Sequence, residues 1–468
     1  MATPINGAVT NSPSGVGGNM TLLAVNWSAL FANIGQFILA FSILVVLHEM
    51  GHFLPAKWFG CRVDKFYLFF NPWFSLWKTQ KGETEYGLGW VPLGGYVKIA
   101  GMIDESMDKE QLKQPAQPYE FRAKPAWQRL IIMLGGVTVN FILALILFAM
   151  ILFVWGEEKL PVGGLRYGLM VDSLAQTAGL RNGDNITAIN NEPVTYLEDV
   201  RKGVFFNETV QLSVKRNGSD TTVTLPKGFL SNLTKSQQLG FVAPRTPVII
   251  KSDEGVRYVS GKLEPGDQLI GVNGRYFSFL DEYIEVKKPY KNQEITLSVL
   301  RNGKDTVKVA VKTDEYARTM APIRTFDELL PIEKKEYSFF ESIPAGINYG
   351  VDRLQDYITG IRLLFTSKEH KVSDNLGSVI SIGKTFGGTW DWQRFWTMTA
   401  LFSIILAFMN ILPIPALDGG HALFTIYEII TGRKPSDKFI EYAQMAGMAL
   451  LLGLMLYAFG LDIWRLFR

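Results

Sequence analysis

Phe41-Ser-Ile-Leu-Val-Val-Leu-His48-Glu49-Met50-Gly51-His52 closes an apolar run that starts near Ala29, and no charged residue precedes it anywhere in the chain. A bilayer is crossed by roughly 20 apolar residues, a length this run meets. Three further stretches also qualify: Leu130 to Gly156, Phe395 to Leu417 and Tyr442 to Leu461. The composition agrees. Of 468 residues, 47% are hydrophobic and only 19% charged, which excludes a disordered chain and argues against a purely soluble enzyme. A net charge of +3 gives no case for nucleic-acid binding. The one cysteine, Cys61, permits neither an internal disulfide nor a Cys₄ or Cys₂His₂ zinc site. The first run is not read as a cleavable signal peptide, because no basic segment stands ahead of it.

The end of that run carries chemistry. The H-E-x-x-H spacing puts His48 and His52 on one face of a helix, so that both imidazoles reach one metal, with Glu49 beside them to polarise a water. Ionisable side chains directly after an apolar span are costly and mark function. A catalytic zinc takes three protein ligands and keeps its fourth position open, so a third ligand is expected elsewhere. Asn410-Ile-Leu-Pro413-Ile-Pro415-Ala-Leu-Asp418-Gly-Gly-His421 closes the third run. Its two prolines break the helical ladder, and such backbone persists in a membrane only where it lines a protein cavity. Asp418 follows at once, and His421 competes with it for the ligand role. His370 lies in the long segment between runs two and three and takes no part.

Orientation follows from Lys and Arg in the short loops. The loop from His48 to Arg129 carries eleven of them, and the loop from Asp418 to Glu441 carries Arg433, Lys434 and Lys438. Both loops read as cytoplasmic, and the two termini and the segment from Glu157 to Arg394 as external. Runs one and three then end on the same side, which brings His48, His52 and Asp418 to a common depth. Between runs one and two, Arg62 to Trp77 and Thr84 to Ile99 read as a β-hairpin, in which Gly94-Gly95 permits close backbone approach.

The external segment repeats itself. Gly179-Leu-Arg-Asn-Gly-Asp-Asn-Ile-Thr-Ala-Ile-Asn190 is matched by Gly261-Lys-Leu-Glu-Pro-Gly-Asp-Gln-Leu-Ile-Gly-Val-Asn273. Each is followed by an alternating strand that ends in Arg-Asn-Gly, at Arg216 and Arg301, and an Asn-Gly pair supplies the positive φ of a hairpin turn. The pattern is similar to the PDZ domains of bacterial proteases, in two copies, which can bind a peptide as an added strand. Beyond them, Phe339, Ile343, Ile347, Val351, Leu354 and Ile358 recur every three or four positions, which predicts an amphipathic helix.

The H-E-x-x-H motif on a first span, N-x-x-P-x-P-x-L-D-G on a third and tandem PDZ-like repeats between spans two and three together resemble the site-2 protease family. This is a family of intramembrane zinc metalloproteases, and the arrangement is similar to its regulator of sigma-E protease type. The resemblance covers the chain from about residue 27 onward. It implies one zinc per chain on His48, His52 and Asp418, with Glu49 as the catalytic base. It implies that Asn410, Pro413 and Pro415 help to hold the substrate, and it adds Asn140, from Gly136-Val-Thr-Val-Asn140, as a further substrate contact. The hairpin with Gly94 and Gly95 would enter the membrane and pair with the unwound substrate strand. The implied substrates are single-span membrane proteins such as anti-sigma factors or leftover signal peptides, cut within their transmembrane segments in the bacterial inner membrane.

The expected fold class is therefore a polytopic α-helical membrane protein with four transmembrane helices, a membrane-associated β-hairpin and two external PDZ-like domains. The expected organisation is a disordered tail over 1–26, a first membrane section over 27–156, PDZ-like domains over 157–245 and 246–315, a connector over 316–394 and a second membrane section over 395–468. Its partners would be the bilayer, single-span substrates and peptide C-termini at the PDZ-like domains, which would filter substrates by the size of their external part. The alternative is a non-enzymatic PDZ scaffold in which a metal staples the helices.

Overall fold

The computed structural model describes residues 27–102, 115–235, 240–251, 263–319, 321–367 and 377–466. The tail expected over 1–26 and His370 lie outside these residues. The chain forms two compact units. Among the described residues, one holds those of 27–156, 336–361 and 377–466, and the other is built chiefly from those of 157–335.

The first unit contains, among the described residues, four helices long and apolar enough to cross a membrane. Helix α1 (Trp27–Trp58) runs on well past Leu47, so the H-E-x-x-H motif lies inside the helix and not at its end. Helix α2 (Ala126–Trp155) starts after Pro125 and stops at Gly156, whose φ of 74° lets its N–H return to the Leu152 carbonyl at 3.0 Å. The amphipathic helix α3 (Phe339–Thr366) packs on the spans: Gly346 lies against Ala149 and Gly350 against Phe148, while Tyr349 meets Phe148 and Tyr357 meets Phe408. A short helix, α4 (Val379–Lys384), precedes α5 (Trp392–Ile411), and α5 packs on α2 through Ala144, Phe148, Ala400 and Ile404. Helix α6 (Asp418–Thr431) follows the proline break, and α7 (Asp437–Leu466) supplies the fourth span.

The element between α1 and α2 differs from the expected hairpin. It is a four-stranded sheet of β1 (Val63–Phe70), β2 (Trp77–Lys81), β3 (Thr84–Leu88) and β4 (Val91–Ile99), in the order β2-β3-β1-β4. The first expected strand stops early, at Phe70, and β2 starts only at its last residue and runs on to Lys81, while the second expected strand divides in two. The first breaks at Asn71-Pro72, where proline removes a ladder donor, and the second at Gly89, where a side chain would strike the backbone of Phe70. β1 then inserts between β3, to which it is parallel, and β4, to which it is antiparallel. This leaves β4 as an edge strand beside α1.

The second unit carries the repeat in its architecture. Strands Asn185–Ile189, Gln211–Arg216 and Ser219–Thr224 in the first copy correspond to Gln268–Val272, Glu294–Arg301 and Asp305–Lys312 in the second. Each copy has its own apolar core. The hairpin turns have positive φ at both residues, Asn217 and Gly218, then Asn302 and Gly303, as the Asn-Gly pairs predict. The recurring Gly-Asp has a partner in the recurring Arg: Asp184 meets Arg216 at 2.7 Å and Asp267 meets Arg301 at 2.9 Å, each aspartate about 1% exposed. Arg245 joins the copies, reaching Asp281 at 2.9 Å and Glu282 at 2.6 Å.

Candidate metal centre

Three ligand-type side chains converge in the membrane unit. His48 and His52 lie one turn apart on α1, both buried, and Asp418 opens α6. Their ligand atoms form a nearly equilateral triangle: His48 Nε2 to His52 Nε2 is 3.3 Å, His48 Nε2 to Asp418 Oδ2 is 3.3 Å and His52 Nε2 to Asp418 Oδ2 is 3.4 Å. Zinc bonds of about 2.0–2.1 Å in a tetrahedron require ligand atoms roughly 3.3–3.4 Å apart. Asp418 Oδ2 is also buried and accepts no hydrogen bond, a costly state for a carboxylate oxygen unless a cation meets it. The donor set fits a tetrahedral zinc with one position left for water or substrate.

Local sequence explains how the atoms come together. Helix α2 crosses α1 closely enough that a side chain on Gly51 would enter the backbone of Gly135, and one on Gly135 would enter that of Gly51. A methyl at Gly136 would sit 2.7 Å from His48 Cε1 and 2.8 Å from His48 Nδ1. The same approach lets His52 Nδ1 donate to the Ile132 carbonyl at 2.8 Å. A carbonyl only accepts, so this bond puts the hydrogen on Nδ1 and turns the Nε2 lone pair toward the centre.

The third corner comes from the proline break. Helix α5 ends at Ile411, Pro413 to Leu417 run without helical structure, and Ala416 takes a φ of 82°. The chain folds back so tightly that Gly419 lies on the Leu412 and Ile411 carbonyls and Gly420 on the Ile414 carbonyl. Only residues without a β-carbon fit there, which accounts for the Gly-Gly after Asp418. Asp418 thus begins a helix, where the N-terminal dipole favours its negative charge. Arg129 of α2 meets Glu428 of α6 at 2.5 Å and ties the aspartate-bearing helix to the span that backs the histidines.

The other candidates fall around the triangle. Glu49 is half-buried on α1, and a β-carbon on Gly95 of β4 would lie 3.5 Å from its Cγ and 2.6 Å from Val45, so the edge strand passes directly beside it. Gly94 lies on the Phe70 ring. Asn410 Nδ2 is 3.4 Å from His48 Nε2. Asn140 is fully buried, with Nδ2 3.3 Å from His48 Nδ1. His421 is not in the cluster, and its Nε2 meets Gln444 Nε2 at 2.8 Å. The roles of Ile132, Gly51 and Gly135 were not apparent in the sequence. The Gly135-Gly136 pair in an otherwise bulky apolar span was the signal available for them.

Comparison with known proteins agrees with this geometry. The profile of peptidase family M50 matches residues 36–454. A protein of Xylella fastidiosa strain 9a5c, provisionally named a zinc metalloprotease, is 28% identical over 462 residues, covering 92% of this chain and 99% of its own. A Vibrio cholerae protein with the same provisional name is 28% identical over 93% of this chain and 99% of its own. A third, from Treponema pallidum, is 26% identical over 92% of this chain and 98% of its own.

Proposed function

The chain belongs to peptidase family M50, the site-2 proteases, and is a zinc metalloprotease, and from that premise we propose that it hydrolyses a peptide bond inside the membrane-spanning segment of single-span membrane proteins. One observation carries this reading: the His48, His52 and Asp418 triangle is built on a helix long and apolar enough to span a bilayer and on the helix that follows another such span.

In this reading His48, His52 and Asp418 hold one zinc. Bound there, zinc supplies Lewis acidity to water and to the scissile carbonyl. Glu49 takes the proton of the attacking water and delivers it to the leaving nitrogen. A helical substrate shields its peptide bonds by its own hydrogen bonds and must first be unwound. The edge of β4, brought beside Glu49 by Gly95, accepts the unwound segment as an added strand and satisfies the backbone groups it exposes. Asn410, 3.4 Å from His48 Nε2, and the Pro413 to Pro415 break help to hold the substrate.

The tandem repeats are PDZ-like domains on the external face of the bacterial inner membrane, and they admit substrates whose external part has already been trimmed. The bias of Lys and Arg toward the loops His48 to Arg129 and Asp418 to Glu441 supports this orientation. The test is the Glu49→Gln variant with a single-span substrate. It should keep zinc and fold yet lose cleavage, and mass spectrometry of the wild-type products should place the cut inside the apolar segment. A cut confined to a soluble tail would overturn the intramembrane reading.

A further inference from the structure

Helix α2 contributes no ligand to the centre, yet one face of it touches both histidines. Ile132, Gly136 and Asn140 are spaced four residues apart, so they stack along that face. Ile132 accepts from His52 through its carbonyl and Gly136 leaves room for both rings. Asn140 lies on His48 Nδ1 at 3.3 Å.

The hydrogen-bond arithmetic at Asn140 is informative. The Asn140 atom next to His48 Nδ1 is the amide nitrogen, while the amide oxygen of this wholly buried residue has no partner. His48 directs Nε2 at Asp418 and His52, so the imidazole that offers a lone pair there carries its hydrogen on Nδ1. Two donors would then face each other while an acceptor stays buried and unused, which is costly on both counts. The two ends of an amide are nearly the same size, and their assignment follows from the hydrogen-bond network. Turning the group over pairs the amide oxygen with His48 Nδ1–H and ends the opposition of two donors. The Asn140 backbone is held in place from the far side, where Ser403 Oγ donates to its carbonyl at 2.7 Å.

We propose that Asn140 is a positioning residue whose side-chain oxygen accepts from His48 Nδ1–H and thereby locks His48 in the tautomer and ring orientation that presents Nε2 to zinc. Asn140 is then not a substrate contact. The assignment rests on the ligand set of His48, His52 and Asp418. It also explains why α2 needs a small residue and an acceptor exactly one turn apart at 136 and 140. The two imidazoles are oriented by the same span, one by a backbone oxygen and the other by a side-chain oxygen.

The test compares Asn140→Leu and Asn140→Asp in the full-length protein, with zinc affinity read by chelator competition and the site geometry by the visible spectrum of the cobalt-substituted protein. Leucine fills the space and removes the acceptor, so zinc should bind about 10- to 100-fold more weakly and the cobalt spectrum should shift. Aspartate keeps an acceptor and should restore affinity to the wild-type value or better. Wild-type zinc affinity and an unchanged cobalt spectrum in Asn140→Leu would overturn the proposal, as would equal losses in both variants. A His48→Ala control separates this from the underlying site: full zinc retention in that protein would refute the ligand set itself. Should Asn140→Leu fail to fold, ¹⁵N spectra of histidine-labelled, zinc-loaded wild-type protein still decide. The His48 signal, assigned through its absence in His48→Ala, should show a protonated, hydrogen-bonded Nδ1, and an unprotonated Nδ1 would sink the idea.

Discussion

His48 Nε2 stands 3.3 Å from Asp418 Oδ2, so a ligand atom from the first long helix and one from the short helix after the proline break share a single point. A metal ion at that point satisfies both the carboxylate oxygen, buried and without a hydrogen bond, and the two imidazole nitrogens that face it. His48→Ala, His52→Ala and Asp418→Ala should each lower bound zinc from one per chain to near zero, as measured by metal analysis of the purified protein. His421, which meets Gln444 at 2.8 Å, should not substitute. Full zinc in Asp418→Ala together with loss of zinc in His421→Ala would reverse that assignment.

The close crossing of α1 and α2 should be as sensitive as the ligands. Gly51→Ala or Gly135→Ala drives a methyl into opposing backbone, which cannot retreat as a side-chain tip could. Overpacking of this kind costs about 1–3 kcal/mol. Thermal unfolding of the metal-free protein should show the loss, and zinc binding should weaken because Ile132 and Gly136 move away from the histidines. Gly35, on the same helix with nothing near it, is the control. Gly35→Ala should be neutral or stabilising, as expected for a helical glycine, and equal losses in all three variants would refute the crossing argument.

The second repeat should respond to acid. Burial pushes the Asp267 carboxyl up, but Arg301 and the Glu264 backbone N–H, both bonded to it, more than offset this and hold it below the usual carboxylate range. A carboxyl depressed in the folded state adds stability that is complete above its unfolded value, about 3.9, and is lost as pH falls through the folded value. Hydrogen exchange over Gln268–Val272, corrected for intrinsic rates, should therefore lose protection below about pH 4. Arg301→Leu should cost about 1–3 kcal/mol at neutral pH and flatten that acid dependence. The same acid dependence in wild type and variant would show that the pair does not control it.

What could be read from the sequence was local. The spacing of His48 and His52 fixes a face and Asn-Gly fixes a turn, because each depends on neighbours a few residues away. Asp418 stands out by its place directly after the Pro413 and Pro415 break, and the parity of the spans, a long-range argument that needs no contact information, is consistent with it. The sheet between α1 and α2 was not legible beyond two β-type segments, since nothing local says that β1 will insert between β3 and β4. Likewise Gly51 and Gly135 are ordinary glycines until the two helices cross at them, and an amphipathic pattern in α3 says that a face is buried without saying which span covers it.

The repeat unit should be removable without losing the catalytic centre. Strand Glu157–Lys159 pairs antiparallel with Glu333–Lys335, so the two ends of the intervening chain already lie side by side. Joining Lys159 to Glu333 by a short glycine-rich turn closes a hairpin and deletes both copies with their cores. If the repeats filter substrates by external size, the deleted protein should cleave a short-tailed single-span substrate at close to the wild-type rate. It should also cleave a long-tailed one that the intact protein refuses. The measurement is the ratio of the two rates in intact and deleted protein, each normalised to zinc content so that misfolded enzyme does not count. An unchanged ratio would dismiss the filter. Loss of both activities in a zinc-loaded deletion would instead make the repeats part of substrate docking, because the centre itself draws every ligand from α1 and α6 and needs no atom of the deleted segment to hold its metal.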